Sequence, residues 1–355
     1  MTRAPPGPSR SFSTVVHLPD QWFVALASRA LKTRPVHTRL QGLPVVLFRG
    51  VDGKAAALLD RCPHRNVPLS DGRVLPDGTL QCRYHGWCFD TGGACRAIPG
   101  REGESDTPAR RVPGFAVREQ DGFVWLWATP DATPVGEPFR FPHLDARGYT
   151  HVRRSNEVES TLHAMIENTL DVPHTAFLHG GLFRSPGGAP PLEVVVRSGP
   201  REVSAEFLGE PVPAGVLGRL LAPKGGVVEH VDRFLLPSIV QVEYRLGTSH
   251  LVTTSALTPL EDFRTAVHTL VSFRLPIPGA MIRPFVTPVA ERVFKQDAVM
   301  LARQTRTIRE SGGEHFVSTE LDAIGPAALK LLRKAATGAV DPGGPVTERR
   351  FTLRL

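Results

Sequence analysis

Two cysteines and two histidines stand in two short clips: Cys62-Pro63-His64, then seventeen residues, then Cys82-Arg83-Tyr84-His85. Thiolates and neutral imidazoles bind zinc or iron, so this set in this pattern implies a metal site. The ligand types alone leave two candidates, a structural zinc and an iron–sulfur cluster with mixed ligands. A zinc finger usually groups its cysteines in one clip and its histidines in the other. Here each clip supplies one of each, which suits a [2Fe-2S] cluster with both cysteines on one iron and both histidines on the other.

A second set lies in Glu167-Asn168-Thr169-Leu170-Asp171-Val172-Pro173-His174-Thr175-Ala176-Phe177-Leu178-His179. Two histidines and one carboxylate on one face bind iron in non-haem Fe(II) oxygenases and leave positions open for O₂. His174 and His179 are five apart, which on a regular helix separates them by about 140°. Pro173 lacks an amide hydrogen and disfavours helix at Val172, so the helix should end or kink here and can bring both imidazoles to one ion. On periodicity alone, His163 with Glu167, one turn on, is the better His/Glu pair. A third ligand must come from elsewhere. The run from Pro288 to about Arg309 reads as an amphipathic helix whose stripe holds Val289, Val293, Met300 or Leu301, and Ile308, with Asp297 and Gln304 on the same face. A carboxylate on a core-facing stripe needs a counter-charge or a metal, which makes Asp297 the candidate; an Asp–Arg pair is the alternative.

The elements that must position these groups fall into two blocks. From Phe12 to about Trp127, β-rich runs alternate with turn signals: 43–48, the Asp52-Gly53 turn, 55–59, 115–118 and 122–127. Strand patterns resume at 151–154, 192–197, 203–207, 234–244, 250–257 and 266–273, interrupted by helical patterns at about 159–171, 288–311 and 326–336. The expected fold is α+β: an all-β domain over 14–135 with the first four ligands in its loops, then an antiparallel sheet with segregated helices over 140–336. Composition and terminal position mark 1–13 and 337–355 as tails.

At 355 residues the chain has room for two cores. Four cysteines, two of them paired with histidines as ligands, do not form a disulfide framework, so a reducing compartment is expected. Cys88 and Cys95 then read as buried structural thiols. No apolar run has the length of a membrane span and the N-terminus lacks an apolar signal core, so a soluble, cytoplasmic protein is expected. The net charge of +7 is spread out, with no dense basic run interleaved with aromatics, which excludes a nucleic-acid binder as the leading reading.

The two clips, with His64-Arg65 and His85-Gly86-Trp87, resemble the cluster-binding loops of Rieske oxygenases. Gly86 is expected to let backbone approach the cluster closely. Respiratory Rieske proteins carry an extra cysteine in each loop, and the first loop here continues Arg65-Asn66-Val67-Pro68 without one. Asn168-x-x-Asp171-x-x-His174-x4-His179 is similar to the mononuclear-iron motif of the same family, in which His163 has no place. The 288–309 helix resembles the helix whose Gln/Glu-Asp pair supplies the carboxylate. The resemblance covers about Trp22 to Leu332 and is closest to the shorter catalytic chains that act without a β subunit.

Membership implies a Rieske β-domain followed by a helix-grip-like catalytic domain, and cofactors of one [2Fe-2S] cluster and one Fe(II). It implies a head-to-tail homotrimer, in which Asp171 bridges His174 to His85 of a neighbouring copy, fixing imidazole orientation. Asp171 also suits an N-cap before the Pro173 turn. Asn168 is expected near the iron without being a firm ligand. The implied reaction inserts oxygen from O₂ into an organic ring substrate, with hydroxylation or demethylation ahead of ring cis-dihydroxylation. No Gly-x-Gly-x-x-Gly stretch is visible, so electrons are expected from a separate ferredoxin or NAD(P)H-dependent reductase. Substrate contacts are expected from 182–287. Two other classes stay open: a Rieske electron-transfer or ligand-binding protein without catalysis, and a zinc-binding regulatory protein.

Overall fold

The computed structural model describes residues 16–180, 191–211, 228–276 and 279–354. The N-terminal tail expected at 1–13 lies outside the described residues, as do 182–190, 212–227 and 277–278 of the stretch expected to touch substrate. The chain separates into two compact units, 17–140 with 258–262, and 141–257 with 263–355.

The first unit is built from short strands: β1 (Trp22–Ala27), β2 (Val36–Leu40), β3 (Leu43–Arg49), β4 (Ala55–Leu59), β5 (Arg73–Val74), β6 (Leu80–Gln81), β7 (Cys88–Phe89), β8 (Cys95–Ala97), β9 (Gly114–Phe115), β10 (Val117–Gln120) and β11 (Phe123–Trp127). They form three sheets, ordered β1-β11-β10, β2-β3-β4-β9 and β5-β6-β7-β8. Tight turns fix the hairpins. Gln41 and Gly42 (φ 50° and 83°) join β2 to β3, and Asp121 and Gly122 (φ 56° and 80°) join β10 to β11. Two consecutive left-handed residues match the right-handed twist of the flanking strands. Phe23, Phe48, Phe89, Phe123 and Trp125 fill the interior. The strands β5 to β8, two or three residues each, are too short for an alternation signal and were not expected.

The second unit carries one sheet of β12 (Thr150–Val158), β13 (Leu192–Ser198), β14 (Glu202–Glu210), β15 (Val228–Leu235), β16 (Ile239–Leu246), β17 (Ser249–Glu261), β18 (Arg264–Arg274) and β19 (Thr347–Leu353). Its order is β12-β18-β17-β16-β15-β14-β13-β19. Among the described residues its helices are α1 (Leu162–Leu170), α2 (His174–Phe177), α3 (Gly279–Glu310) and α4 (Gly325–Ala336). The first helix packs against β15, β16, β18, α3 and α4. The α+β expectation, an all-β domain and then an antiparallel sheet with helices, is the observed architecture.

Four expectations change. Residues 337–355 are not simply a tail, because β19 pairs along all of β13, from Leu192↔Leu353 to Ser198↔Thr347. Buried Val194, Val195 and Val196 demand a covered edge, and Arg197–Glu348 (3.0 Å) and Arg350–Glu193 (3.1 Å) tie the charged residues that had masked the strand. The run 234–244 is two strands, broken at Leu236-Pro237-Ser238, where proline offers no N–H to a ladder. Helix α3 begins at Gly279 and carries Pro284 and Pro288 inside it, so the proline taken as a start is internal. Among its described side chains the buried ones are Leu301, Thr305 and Ile308; Val289 and Met300 are exposed.

The sheet interior holds a charged group. On β15, His230 and Asp232 share the buried face with Phe234, as the two-residue repeat requires. His230 Nδ1 lies 2.6 Å from Glu210 Oε2 and Nε2 lies 2.9 Å from Asp232 Oδ1. Phe207 and Tyr244 stack on its two faces at 4.5 and 4.1 Å. Burial would discharge the ring, but the two carboxylates outweigh it and raise His230 to about 9.

Candidate metal centres

The two clips adopt the same backbone form. In the first, Cys62 N donates to Val67 O (2.9 Å) and Asn66 N to Cys62 O (2.9 Å); in the second, Cys82 N donates to Trp87 O (2.8 Å) and Gly86 N to Cys82 O (3.1 Å). The fifth residue of each, Asn66 (φ 60°) and Gly86 (φ 72°), is left-handed. The loops are thus matched, although histidine comes two residues after cysteine in one and three after it in the other. Asp60 anchors the first loop by accepting from Ser70 N (2.8 Å) and Ser70 Oγ (2.6 Å).

Both cysteines are buried and His85 is exposed. The His64 and His85 rings stand 4.5 Å apart, and His64 stacks on Trp87 at 4.9 Å. His64 Nδ1 is buried with no hydrogen-bond partner among the described residues, which a ligated metal would satisfy. Burial, with the Cys82 thiol alongside, pushes the Cys62 thiol up to about 11. Two sequestered thiols and an orphaned imidazole nitrogen fit a metal cluster, whose charge would draw off the thiol protons.

Gly86 meets two constraints visible in the fold. A side chain there would meet Pro99 Cγ at 2.9 Å, and the backbone is left-handed, so the visible constraints are Pro99 and φ. All four cysteines are free thiols. Cys88 is buried and donates to Gly86 O (3.2 Å), and Cys95 is buried beside it in the sheet.

Thr161 begins the second site by capping α1, its Oγ1 accepting from Ala164 N at 3.0 Å. The helix ends at Leu170, Asp171 is extended (φ −90°, ψ 106°), and α2 restarts at His174. This break brings the His174 and His179 rings to 5.2 Å. Asp297 comes from α3, and one ligand atom each of His174, His179 and Asp297 lies within 4.8 Å of the others. His179 Nε2 is 3.0 Å and His174 Nε2 3.6 Å from Asp297 Oδ1.

The opposite ring nitrogens are held from behind. His174 Nδ1 donates to the Asp171 carbonyl oxygen, and His179 Nδ1 lies 3.0 Å from Gln296 Oε1. Each bond fixes the tautomer that leaves Nε2 as an electron-pair donor. The donor set fits a divalent iron with open positions. The Asp171 carboxylate accepts from His174 N at 3.2 Å, which is the N-cap role, and stands 3.6 Å from the ring nitrogen; it is the carbonyl that holds the ring. Burial raises Asp171, and His174 is raised because Asp297 and Asp171 outweigh its burial. Asn168 Nδ2 donates to Asp297 Oδ1 at 3.4 Å, so it steadies the carboxylate.

His163 faces away from this trio: its Nδ1 lies 3.4 Å from Glu314 Oε2, and Thr161 Oγ1 donates to the other oxygen of that carboxylate. Sequence reasoning missed Glu314, which pairs across 151 residues of chain and carries no local signal. Gln296 was visible only as half of a Gln-Asp pair, and the Asp171 carbonyl has no sequence signature.

Residues 21–115 match the Rieske [2Fe-2S] domain, and 158–338, just over half of the chain, match the vanillate O-demethylase oxygenase C-terminal domain. The oxygenase component of dicamba O-demethylase from Stenotrophomonas maltophilia is 36% identical over 164 residues, 45% of this chain and 47% of that protein. The chain spans about half the length of this and the next curated relative. The vanillate O-demethylase oxygenase subunit of a Pseudomonas species is 25% identical over 88% of this chain and 93% of its own. Among solved structures, dicamba monooxygenase bound to dicamba superposes with a TM-score of 0.77 at 25% identity, covering 91% of this chain and 98% of that one. With both domains matched and in this order, the chain belongs to the Rieske non-haem iron oxygenases, in the group whose catalytic domain is that of vanillate O-demethylase.

Proposed function

We propose that the chain is the oxygenase component of a multicomponent system that inserts oxygen from O₂ into an organic ring substrate, by a monooxygenation such as hydroxylation or demethylation. Cys62, His64, Cys82 and His85 would hold a [2Fe-2S] cluster, and His174, His179 and Asp297 a mononuclear Fe(II). When bound, the cluster supplies single electrons and the Fe(II) supplies a redox-active centre with room for O₂. The observation that carries the reading is the convergence of His174, His179 and Asp297 in a chain that also holds the matched cysteine–histidine loops.

The protein's own groups orient and connect. The Asp171 carbonyl and Gln296 turn the two imidazoles inward, and Asn168 holds the carboxylate. The Asp171 side chain is 35% exposed and His85 is exposed, which supports a bridge from Asp171 to His85 of a second copy in a homotrimer. The named activities of the relatives, on dicamba and vanillate, support a ring-bearing substrate, and a separate ferredoxin or reductase supplies the electrons.

Iron analysis with product detection tests this. The wild type should bind about three irons per chain and oxygenate a panel of aromatic acids and sterols with O₂ and a surrogate reductase. Asp297→Asn should keep the reddish Rieske absorption, lose the third iron and form no product. A colourless zinc protein, or an Asp297→Asn variant with full iron and turnover, would overturn the proposal.

A further inference from the structure

Away from the metal trio, a cavity of about 660 Å³ opens between α1, the segment after α3, and α4. Its volume is in the range of small-molecule sites, which pair apolar walls with a few polar anchors. Phe316 and Leu329 supply apolar wall, with Phe316 against the His163 ring at 5.6 Å. His163 also lines the cavity and is 6% exposed. Its Nδ1 is turned to Glu314, yet its Nε2 is buried without a hydrogen-bond partner among the described residues. A buried polar atom left this way is unfavourable unless something binds it.

The rim has the opposite character. Lys330, Arg333 and Lys334 line the same cavity from α4, and their spacing puts them on one helix face. Arg333 and Lys334 sit in the last turn, where they complement the helix dipole. Lys330 lies a turn earlier, and among the described residues none of the three enters an ion pair.

We infer that this cavity is a second small-molecule site, which takes a hydroxylated aromatic acid: the ring against Phe316 and Leu329, the carboxylate at the cationic rim, and the hydroxyl paired with His163 Nε2. With Nδ1 turned to Glu314, Nε2 is the ring nitrogen left for a ligand, and a hydroxyl, which both donates and accepts, can pair with it. Glu314 reinforces this polarity, keeping the ligand's anionic end at the rim. The site shares no residue with the metal trio, and His163 lies about 12 Å along α1 from Asp171. It does not rest on the oxygenase reading.

Isothermal titration of the purified full chain with 4-hydroxybenzoate, benzoate and inorganic phosphate tests the inference. The wild type should bind 4-hydroxybenzoate about tenfold more tightly than benzoate, the margin of one buried hydrogen bond. The exposed triple variant K330E/R333E/K334E should lose at least about tenfold in affinity for both acids. Asp297→Asn should bind as the wild type does, which separates this site from the metal centre. His163→Phe should bind the two acids alike. No binding up to about 10 mM, or equal affinity in the triple variant, would overturn the site. Phosphate binding as tightly as 4-hydroxybenzoate would overturn the aromatic ligand, because a bare anion would then suffice.

Discussion

Raising the pH should weaken the catalytic sheet through one side chain. His230 is 1% exposed, clamped between Glu210 and Asp232, and keeps its proton to about 9, against 6.5 for the free residue. Between those values the folded protein binds more protons than the unfolded chain, so its stability falls as pH rises. The contribution is fully present below 6.5 and is lost as pH passes through 9. At about 1.4 kcal/mol per unit, the raised value corresponds to about 3 kcal/mol. His230→Gln keeps hydrogen-bonding capacity but carries no proton to lose. Urea unfolding of the wild type and this variant, followed by exchange in the 202–246 strands, should therefore show a gap that narrows with pH. With a slope of about 3 kcal/mol per molar urea, the wild-type advantage should shrink by about 1 M from pH 6 to pH 10. A gap that stays constant over that range, or widens, would refute the charged-histidine argument, since a purely steric role has no pH dependence.

Two further outcomes follow from the metal loops and their neighbours. Asp171→Asn should leave both metals bound, seen by iron content and Rieske absorption, while turnover falls about 100-fold; full activity would remove the bridge between centres. Gly86→Ala should destabilise the cluster unit by about 2–3 kcal/mol, since it adds a contact with Pro99 at 2.9 Å to a left-handed backbone. Gly53→Ala, also left-handed but with nothing within 4 Å, should cost only about 1 kcal/mol, and equal melting temperatures for the two variants would count against the packing argument.

The convergence of His174, His179 and Asp297 was legible because ligand chemistry restricts residue type, and because Pro173 in a helical pattern announces a break. The groups that orient the ligands were less so. A main-chain carbonyl such as that of Asp171 has no sequence identity, and Glu314 reaches His163 only after the chain has folded. In the fold, strands with clear alternation were visible, whereas β5 to β8 are too short to alternate. Pro288 misled in the other direction: proline weakens a helix by one hydrogen bond, and packing along Leu301, Thr305 and Ile308 helps to hold α3 regardless. The β19 strand was hidden by Glu348, Arg349 and Arg350; Glu348 and Arg350 are met across the ladder by Arg197 and Glu193, and Arg349 donates to the Glu320 carbonyl.

The pairing of β19 with β13 also sets a timetable for synthesis. Thr347 lies opposite Ser198 with 149 positions of chain between them. At about 5–20 residues per second, roughly 7–30 s separate the emergence of the two strands. Through that interval the valine-rich outer edge of β13 is an unfilled template on the nascent chain. The chain made by the ribosome ahead on the same message carries a strand of matching sequence, so strand exchange between sister chains is the misassembly this topology invites.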